Sequence, residues 1–307
     1  MRRLEQKIRA AIRPLRGRIG ISVVDVESDA HIGIDDEQLL PMASVCKVPI
    51  LTACMRLHDR MALDLNEKLV FTRRDRTLGS GLLSAFDDKF RLSIRDYLLM
   101  MICVSDNGAT DRLLRRVGLQ RVNEEMAALG LGQIDLSRTI QQQIDAIYTH
   151  VDPRFAQCRF GEHEELVNAD PELKRRIQDI DCIRKAIREV FAEHDTASAR
   201  DLSKLLMLIA RGKCASADSC QAMLDIMGRQ CLNTRLPRFI PPFAKFPHKT
   251  GTYGFGVVVN DIGVLMQEEK PRYAVSVLAT DLHNPLYETE EILGKIGRAV
   301  YDFMEGG

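Results

Sequence analysis

The sequence contains no long hydrophobic run and carries no net charge. None of its apolar stretches approaches the ~20 residues that a membrane-spanning helix needs. Lys plus Arg and Asp plus Glu both number 43, so the formal charge is zero. A neutral chain is not drawn to nucleic acid or to an anionic membrane by its overall charge, and we expect neither partner. The composition fits a globular protein of one or two domains.

Closely spaced cysteine pairs are also absent. The chain has eight cysteines, and no two of them show the two-residue spacing of a zinc knuckle or a redox motif. An even number permits disulfides, but in a chain of 307 residues we favour small apolar fillers in a reducing compartment. We expect no metal and no cofactor.

The N-terminus lacks the apolar core of an export signal. Arg2 and Arg3 supply the initial positive charge, but Arg9 and Arg13 interrupt the stretch that should follow. We therefore expect a cytoplasmic location for the sequence as it stands, and a periplasmic or secreted one if an export segment has been removed. We also expect a monomer.

Strand patterns occur at both ends of the chain. β-Branched residues predict a strand over 19–26 and a short one over 30–34, and further strands are predicted near 254–260 and 273–280. An amphipathic helix is predicted from 287 to about 304. Because the strands lie so far apart in sequence, the two ends must pair in one sheet. The predicted fold is α+β, with an antiparallel sheet flanked by helices.

The middle of the chain is predominantly helical. Residues 46–195 are predicted to form an all-helical domain inserted into an α/β domain of residues 1–45 and 196–307, with a cleft between the two. Within the insertion, residues 141–195 are polar and charged, and we expect a long loop there, although 173–191 has helical spacing. The other predicted helices are 45–60, 94–103, 109–117, 122–129, 199–211 and 218–227.

The first of three motifs that carry chemistry is Ser44-x-x-Lys47, at the start of a predicted helix. A separation of three residues puts both side chains on one helix face, and the amides at a helix start favour negative charge. Serine needs an adjacent base to become a nucleophile, and a buried lysine loses its preference for the charged form. Ser44 is thus a candidate nucleophile and Lys47 its base. The alternative is an exposed Ser and Lys near a helix start.

The second motif is Ser105-Asp106-Asn107, which follows one apolar helix and precedes another. Ser105 could pass a proton to a leaving group, and Asn107 could hold Lys47 or a substrate amide. The alternative is a helix N-cap, for which Ser, Asp and Asn are all well suited.

The third motif, Lys249-Thr250-Gly251-Thr252, predicts an edge strand that a substrate can approach closely. Lys249 would attract a carboxylate, and Thr250 would hydrogen-bond to it. The backbone N–H groups of Ser44 and Thr252 could form an oxyanion hole. The alternative is a strand with an exposed positive edge.

Together, in this order, the three motifs resemble those of the class A β-lactamase family, which also includes penicillin-binding-protein-like serine hydrolases. The resemblance covers roughly residues 19–140 and 196–304. It implies a two-part fold with the active site between the parts, and a β-lactam or related acyl substrate. It also implies that Arg235 helps Lys249 and Thr250 to hold the substrate carboxylate. Further similar stretches are 41–49, 79–83, 92–96, 229–237 and 248–252.

One position departs from the family pattern. The family carries a glutamate, in a Glu-x-x-x-Asn pattern, that activates the water releasing the acyl group, and its place falls at Ile140. Isoleucine cannot activate water. Glu164 and Asn168 show the same spacing further on. A catalytic role for Glu164 is one hypothesis, and a solvated surface charge is the alternative.

We therefore predict a serine β-lactamase-type hydrolase that β-lactams acylate at Ser44. Because of Ile140, we expect slow hydrolysis of the acyl-enzyme. Two alternatives remain open. One is an esterase or peptidase on the same scaffold, and the other is a covalent β-lactam sensor that stays acylated and signals through a partner.

Overall fold

A computed structural model of the chain describes residues 1–87, 89–158 and 161–306. The helices in these residues are α1 Arg2–Ile12, α2 Lys47–Asp59, α3 Ile94–Cys103, α4 Asn107–Val117, α5 Leu119–Ala128, α6 Ile140–Val151, α7 Glu162–Ala169, α8 Pro171–Gln178, α9 Ile180–Val190, α10 Ala199–Ala210, α11 Ala217–Met227 and α12 Leu286–Met304. The strands are β1 Arg18–Asp25, β2 His31–Ile34, β3 Leu40–Pro41, β4 Lys68–Phe71, β5 Phe90–Ser93, β6 Thr196–Ala197, β7 His248–Tyr253, β8 Val258–Gln267 and β9 Lys270–Thr280.

The main sheet joins the two ends of the chain. Its strand order is β2-β1-β9-β8-β7, and each neighbouring pair is antiparallel. β1 pairs with β9 along its whole length, from Arg18 opposite Thr280 to Asp25 opposite Tyr273. The predicted antiparallel sheet with flanking helices is confirmed. β7, which carries the Lys249 motif, is an edge strand.

The two faces of the sheet pack against different helices because alternate side chains point to opposite sides. On β9, Val275 and Val277 share a core with α1 and α12, whereas Ala274 belongs to the larger core with α2, α3 and α10. Helix α1 was not anticipated from the sequence. It forms because Leu4 and Ile8, one turn apart, are both buried against the sheet core.

The structure corrects the loop expected over 141–195, because helices α6–α9 occupy the described part of this segment. Thr139 caps α6, and Asp170 caps α8 directly before a proline. These helices bury few side chains, such as Ile183 and Ile187 on α9, and most of their charged side chains are exposed. The polar composition that suggested a loop is the composition of short amphipathic helices.

The C-terminal strands also differ from the predicted bounds. β7 ends at Tyr253, and a 3-10 turn over Gly254–Gly256 separates it from β8, whereas the sequence pattern predicts a strand that begins at residue 254. Side chains of α6, α8 and α9 form a third apolar cluster together with Ala43, Val257 and Val258, whereas Ile140 of α6 belongs to the large core of α2–α5, α10 and α11. The domain boundaries at residues 46 and 195 remain a prediction.

The cysteines of the described residues are unpaired thiols. Burial raises the pKa of Cys46 and of Cys54 to about 12, so both thiols remain protonated and pack as small apolar groups. Cys214 and Cys220 bring their sulfurs to 3.4 Å. In the described parts of the chain, no helix is long and apolar enough to span a bilayer.

Candidate active site

Ser44 lies in a 3-10 turn, Ala43–Cys46, that continues directly into α2. Its side chain is partly buried and lines a cavity of about 300 Å³ that β7 and α6 also border. Gly251 of β7 approaches the turn so closely that a Cβ atom there would lie 2.9 Å from Met42 O and 3.1 Å from Ser44 N. The third motif therefore needs a glycine in order to lie against the first.

A buried asparagine that the sequence analysis missed holds this turn in place. Asn260 on β8 donates from Nδ2 to Pro41 O at 2.9 Å and to Met42 O at 2.8 Å. Its Oδ1 accepts from the Ala279 amide at 2.9 Å. Asn260 thus ties the segment before Ser44 to the sheet. The sequence signal was a polar Asn-Asp pair inside an otherwise apolar strand.

Lys47 is fully buried and hydrogen-bonds to the second motif. Its Nζ donates to Ser105 O at 2.8 Å, to Ser105 Oγ at 3.1 Å and to Asn107 Oδ1 at 2.7 Å. Burial lowers the pKa of Lys47 to about 8, against its ordinary 10.5. A substantial fraction of the amine is therefore neutral near physiological pH, as a general base requires.

Within the described residues, no hydrogen bond joins Lys47 Nζ to Ser44 Oγ, although the two residues are three apart in the chain. Catalytic hydrogen bonds are often long in a ligand-free enzyme and shorten when substrate is bound. The lysine is meanwhile held by Ser105 and Asn107, one of the two roles predicted for the asparagine.

The second motif both contacts Lys47 and caps a helix, and different residues perform these two predicted roles. Asp106 is the N-cap of α4 and accepts from the Ala109 amide at 2.7 Å. Ser105, just before it, has a left-handed φ of 56°, a conformation that costs a non-glycine residue energy. This backbone turn directs the Ser105 hydroxyl to the lysines, while the cap begins the helix.

Lys249 reaches the same hydroxyl from the third motif. Its Nζ donates to Ser105 Oγ at 3.0 Å and to Thr250 O at 2.7 Å. The side chain is fully buried, which contradicts the alternative of an exposed positive edge. Burial, reinforced by the nearby charges of Lys47 and Arg235, holds the pKa of Lys249 well below its ordinary value.

Arg235 lies behind β7 and is not among the residues that line the cavity. Its guanidinium donates to Gly251 O and Asn260 O, each at 2.7 Å, and to Thr252 Oγ1 at 2.5 Å. Because the Thr252 oxygen accepts from arginine, its own proton remains available for an acceptor in the cavity. The structure therefore connects Arg235 to the cavity through Thr252.

The remaining predicted residues fall into two groups. Thr250, Gly251, Thr252 and Asn107 line the cavity with Ser44 and Ser105. Glu164 does not: its side chain is exposed in the first turn of α7, outside the cavity lining. No group of three His, Cys, Asp or Glu side chains in the described residues could hold a metal ion.

Ile140 lies at the start of α6, is almost fully buried and lines the cavity. The Asp111 carboxylate fixes this helix start, accepting from the amides of Ile140 at 2.7 Å and Gln141 at 3.0 Å. Burial raises the pKa of Asp111, which these amides partly oppose. The cavity therefore presents a hydrocarbon side chain at the position where the family resemblance implied a carboxylate.

This fold and this serine, set among buried lysines, define a serine hydrolase of the β-lactamase and penicillin-binding-protein class. The chain matches the family Beta-lactamase2, described as "Beta-lactamase enzyme family", over residues 3–304. It belongs to that family.

Curated relatives are distant but extend along most of the chain. β-Lactamase BRO-1 of Moraxella catarrhalis is 22% identical over 297 residues, covering 94% of this chain and 80% of that protein. A β-lactamase of Bacteroides uniformis is 22% identical over 316 residues, covering 99% of this chain and 92% of that protein.

Solved structures share the fold. A β-lactamase from Sphaerobacter thermophilus has a TM-score of 0.76 at 23% identity, covering 99% of this chain and 97% of that one. A mutant of PBP-A, solved as its acyl-enzyme complex with penicillin G, has a TM-score of 0.76 at 22% identity. The match covers 100% of this chain and 98% of that one.

Proposed function

We propose that β-lactams acylate Ser44 and that the resulting ester is released slowly. The observation that carries this proposal is the presence of Ile140, a side chain without acid–base chemistry, in the same cavity as Ser44. The groups needed to form an ester are present around Ser44, whereas the residue at the family's water-activating position cannot act as a base.

Ester formation would use both serines, Ser44 as the nucleophile and Ser105 as the proton donor. Ser44 Oγ attacks the lactam carbonyl carbon, the neutral form of Lys47 takes its proton, and the backbone N–H groups of Ser44 and Thr252 stabilise the oxyanion. As the C–N bond breaks, Ser105 gives its proton to the departing nitrogen. The hydrogen bonds from Lys47 and Lys249 to Ser105 Oγ then provide a route for replacing that proton.

Binding of the substrate carboxylate would fall mainly to the hydroxyls of Thr250 and Thr252. Arg235 lies behind these residues and contributes positive potential, and Lys249 holds the Thr250 carbonyl from a position that the substrate does not touch directly. Such preorganised groups act strongly because they are buried and need no reorientation when the substrate arrives.

Slow release follows from the missing base. General-base catalysis of a water typically contributes about 10²–10⁴-fold in rate, and Ile140 supplies none of it. One similar solved structure, at 22% identity, is a PBP-A mutant with a leucine-to-glutamate change, held as an acyl-enzyme with penicillin G. A protein of this fold can thus be held as a penicillin ester, which supports the acylation of Ser44 but does not bear on the rate of release.

The proposal is tested by mixing the protein with benzylpenicillin and recording intact mass over time. We expect rapid addition of one penicillin, located on Ser44 by peptide mapping and persisting long after excess ligand is removed. Ser44→Ala is the control and should gain no mass. Absence of an adduct on the wild-type protein would overturn acylation, and rapid turnover without an adduct would overturn slow release.

Ile140 also favours a second candidate, a peptidase or esterase on linear substrates. In a ring-opened β-lactam the amine stays attached to the acyl group, whereas a linear substrate loses its leaving group and opens space for water or another nucleophile. A panel of esters and D-Ala-D-Ala peptides tests this. Multiple turnovers of any of these by the wild-type protein, but not by Ser44→Ala, would favour it.

A further inference from the structure

One side of the cavity is made of isoleucine. Ile140, Ile144 and Ile147 come from α6 and Ile183 comes from α9, and together we call them the isoleucine wall. Three of the four are buried, and Ile144 is partly exposed to the cavity. The wall comes from the segment whose polar composition predicts a loop.

The other side of the cavity is polar but uncharged. It presents the hydroxyls of Ser44, Ser80, Ser105, Thr250 and Thr252. None of the described residues that line the cavity has a charged side chain, because Lys47, Lys249 and Arg235 are all buried behind it. A bound molecule thus meets mainly hydroxyl groups on one side, and on the other the isoleucines together with the Tyr148 ring of α6.

The part of the isoleucine wall that comes from α9 packs against the turn after β7. Gly254, in the turn after β7, has a left-handed φ of 58°, and a Cβ there would lie 2.5 Å from Ile187 and 2.7 Å from Ile183. Next to this contact, the Phe191 ring stacks on Tyr253 with centroids 5.3 Å apart. Ile183 is therefore packed closely against the turn that follows β7.

The lining residues outside the wall include further exposed apolar groups. Phe255 is 64% exposed and has a left-handed φ of 56°, which is unfavourable for a non-glycine residue. Leu232 is 45% exposed and also lines the cavity. Large apolar side chains left open to solvent beside a cavity typically mark a surface that an apolar ligand covers.

From this arrangement we propose that the isoleucine wall, with Phe255, binds the acyl substituent of the substrate and selects a large, uncharged, apolar one. The inference rests on the proposed acylation of Ser44 and specifies its substrate class. The polar side would hold the reacting amide and the carboxylate, leaving the isoleucine wall for the acyl group. A charged substituent placed against it would lose its hydration and gain no oppositely charged partner, because none of the described lining residues is charged.

The test compares two penicillins that differ at one carbon: benzylpenicillin and its α-carboxybenzyl counterpart. The second-order rate constant for acylation is measured for each by the intact-mass time course. We expect the benzyl compound to react at least about tenfold faster, since a mismatch of even one small group in an apolar site changes rates by about that much.

Two matched variants assign the preference to the isoleucine wall. Ile144→Asn places an amide in the wall at its partly exposed position, and we expect the rate ratio to fall about fivefold or more. Ile180→Asn makes the same change at an exposed residue of α9 outside the cavity lining and should leave the ratio unchanged. The penicillin nucleus without an acyl substituent should still form an adduct with Ile144→Asn, and a circular-dichroism spectrum and unfolding midpoint like those of the wild type show that the variant is folded.

The outcomes separate the two proposals. No adduct with any of the three compounds would overturn the acylation of Ser44. Adducts that form at equal rates with benzyl and α-carboxybenzyl side chains would overturn only the apolar acyl site. A preference that Ile144→Asn does not reduce would likewise overturn the role of the isoleucine wall.

Discussion

The main-chain amide of Ile140 donates a hydrogen bond to the Asp111 carboxylate at 2.7 Å. This bond fixes the first residue of α6 and keeps its side chain in the cavity that contains Ser44. The side chain at position 140 therefore has a defined place beside the reacting group, and its chemistry is expected to affect the rate at which the ester is released.

The first prediction concerns Ile140→Glu. A carboxylate at this helix start is favoured by the N-terminal amides, although Asp111 nearby opposes its ionisation. We expect release of the penicilloyl group to become about 10²-fold faster, the lower end of what a general base contributes. The measurement is the decay of the adduct mass after excess penicillin is removed.

Ile140→Gln is the matched control, because glutamine has nearly the same shape but cannot accept a proton from water. Its release rate should stay near that of the wild type. Equal acceleration in both variants would show that polarity or space at position 140, and not a base, limits release.

The second prediction is the pH dependence of acylation. Lys47 must be neutral to take the Ser44 proton, and its pKa is lowered to about 8. The acylation rate should therefore rise about tenfold per pH unit below 8 and level off above it. Rates with benzylpenicillin between pH 6 and 9.5 test this. A flat profile across this range would exclude Lys47 as the base.

The third prediction links the same lysine to stability. The pKa of Lys47 is lower in the folded protein than its ordinary 10.5. Between these pKa values the unfolded chain holds the proton and the folded chain does not, so this contribution to stability rises with pH, by up to about 1.4 kcal/mol per unit. Below pH 8 the contribution is constant and unfavourable.

Denaturant unfolding of wild type and Lys47→Met at several pH values isolates this contribution. Titrating groups remote from Lys47 are present in both proteins and cancel in the difference. Lys249 does not cancel fully, because the Lys47 charge helps to lower its pKa, and the part that remains changes the difference in the same direction. We expect the free energy of unfolding of the wild type, relative to the variant, to increase from pH 8 to pH 10. A difference that stays constant with pH would show that Lys47 keeps an ordinary pKa in the folded protein.

The fourth prediction concerns the contact between β7 and the Ser44 turn. In Gly251→Ala, the new methyl group would lie 2.9 Å from Met42 O, so the strand must move away. Since misplacement of reacting groups by about 1 Å can cost 10²-fold in rate, we expect acylation to slow by about that factor. The measurement is the acylation rate constant with benzylpenicillin.

Gly132→Ala serves as the control for this change. Gly132 is exposed, and a methyl group added there would have no neighbouring atom within 4 Å, so acylation should be unaffected. If Gly251→Ala also acylates at the wild-type rate, the close approach of β7 to Ser44 is not needed for the reaction.

Local patterns predicted much of this fold. The spacing of apolar residues placed α3, α4, α10 and α12 within about two residues of their observed bounds, because that spacing reflects which helix face is buried. The same reasoning failed for α6 and α7, where short helices with charged faces resemble a solvated loop in composition, whereas α8 and α9 match the helical spacing noted over 173–191. It also missed α1, whose arginines obscured the buried pair Leu4 and Ile8.

Parts of the candidate site were equally accessible from sequence. The three motifs pointed to Ser44, Lys47, Ser105 and Lys249 because the chemistry of acyl transfer needs these residue types. Asn260 was missed, since its role is to bond Pro41 and Met42 more than two hundred residues earlier. No pattern around an asparagine reveals a partner so distant in the chain.

By itself, then, the sequence determined which chemical groups are available, in what order, and where most helices and strands form, because all of these depend on neighbouring residues. Only the tertiary structure decided that Lys47 and Lys249 meet at one hydroxyl, that burial lowers their pKa values, and that an isoleucine wall faces the cavity. Distance and burial are properties of packing between remote segments, and they set both proton affinity and the space open to a substrate.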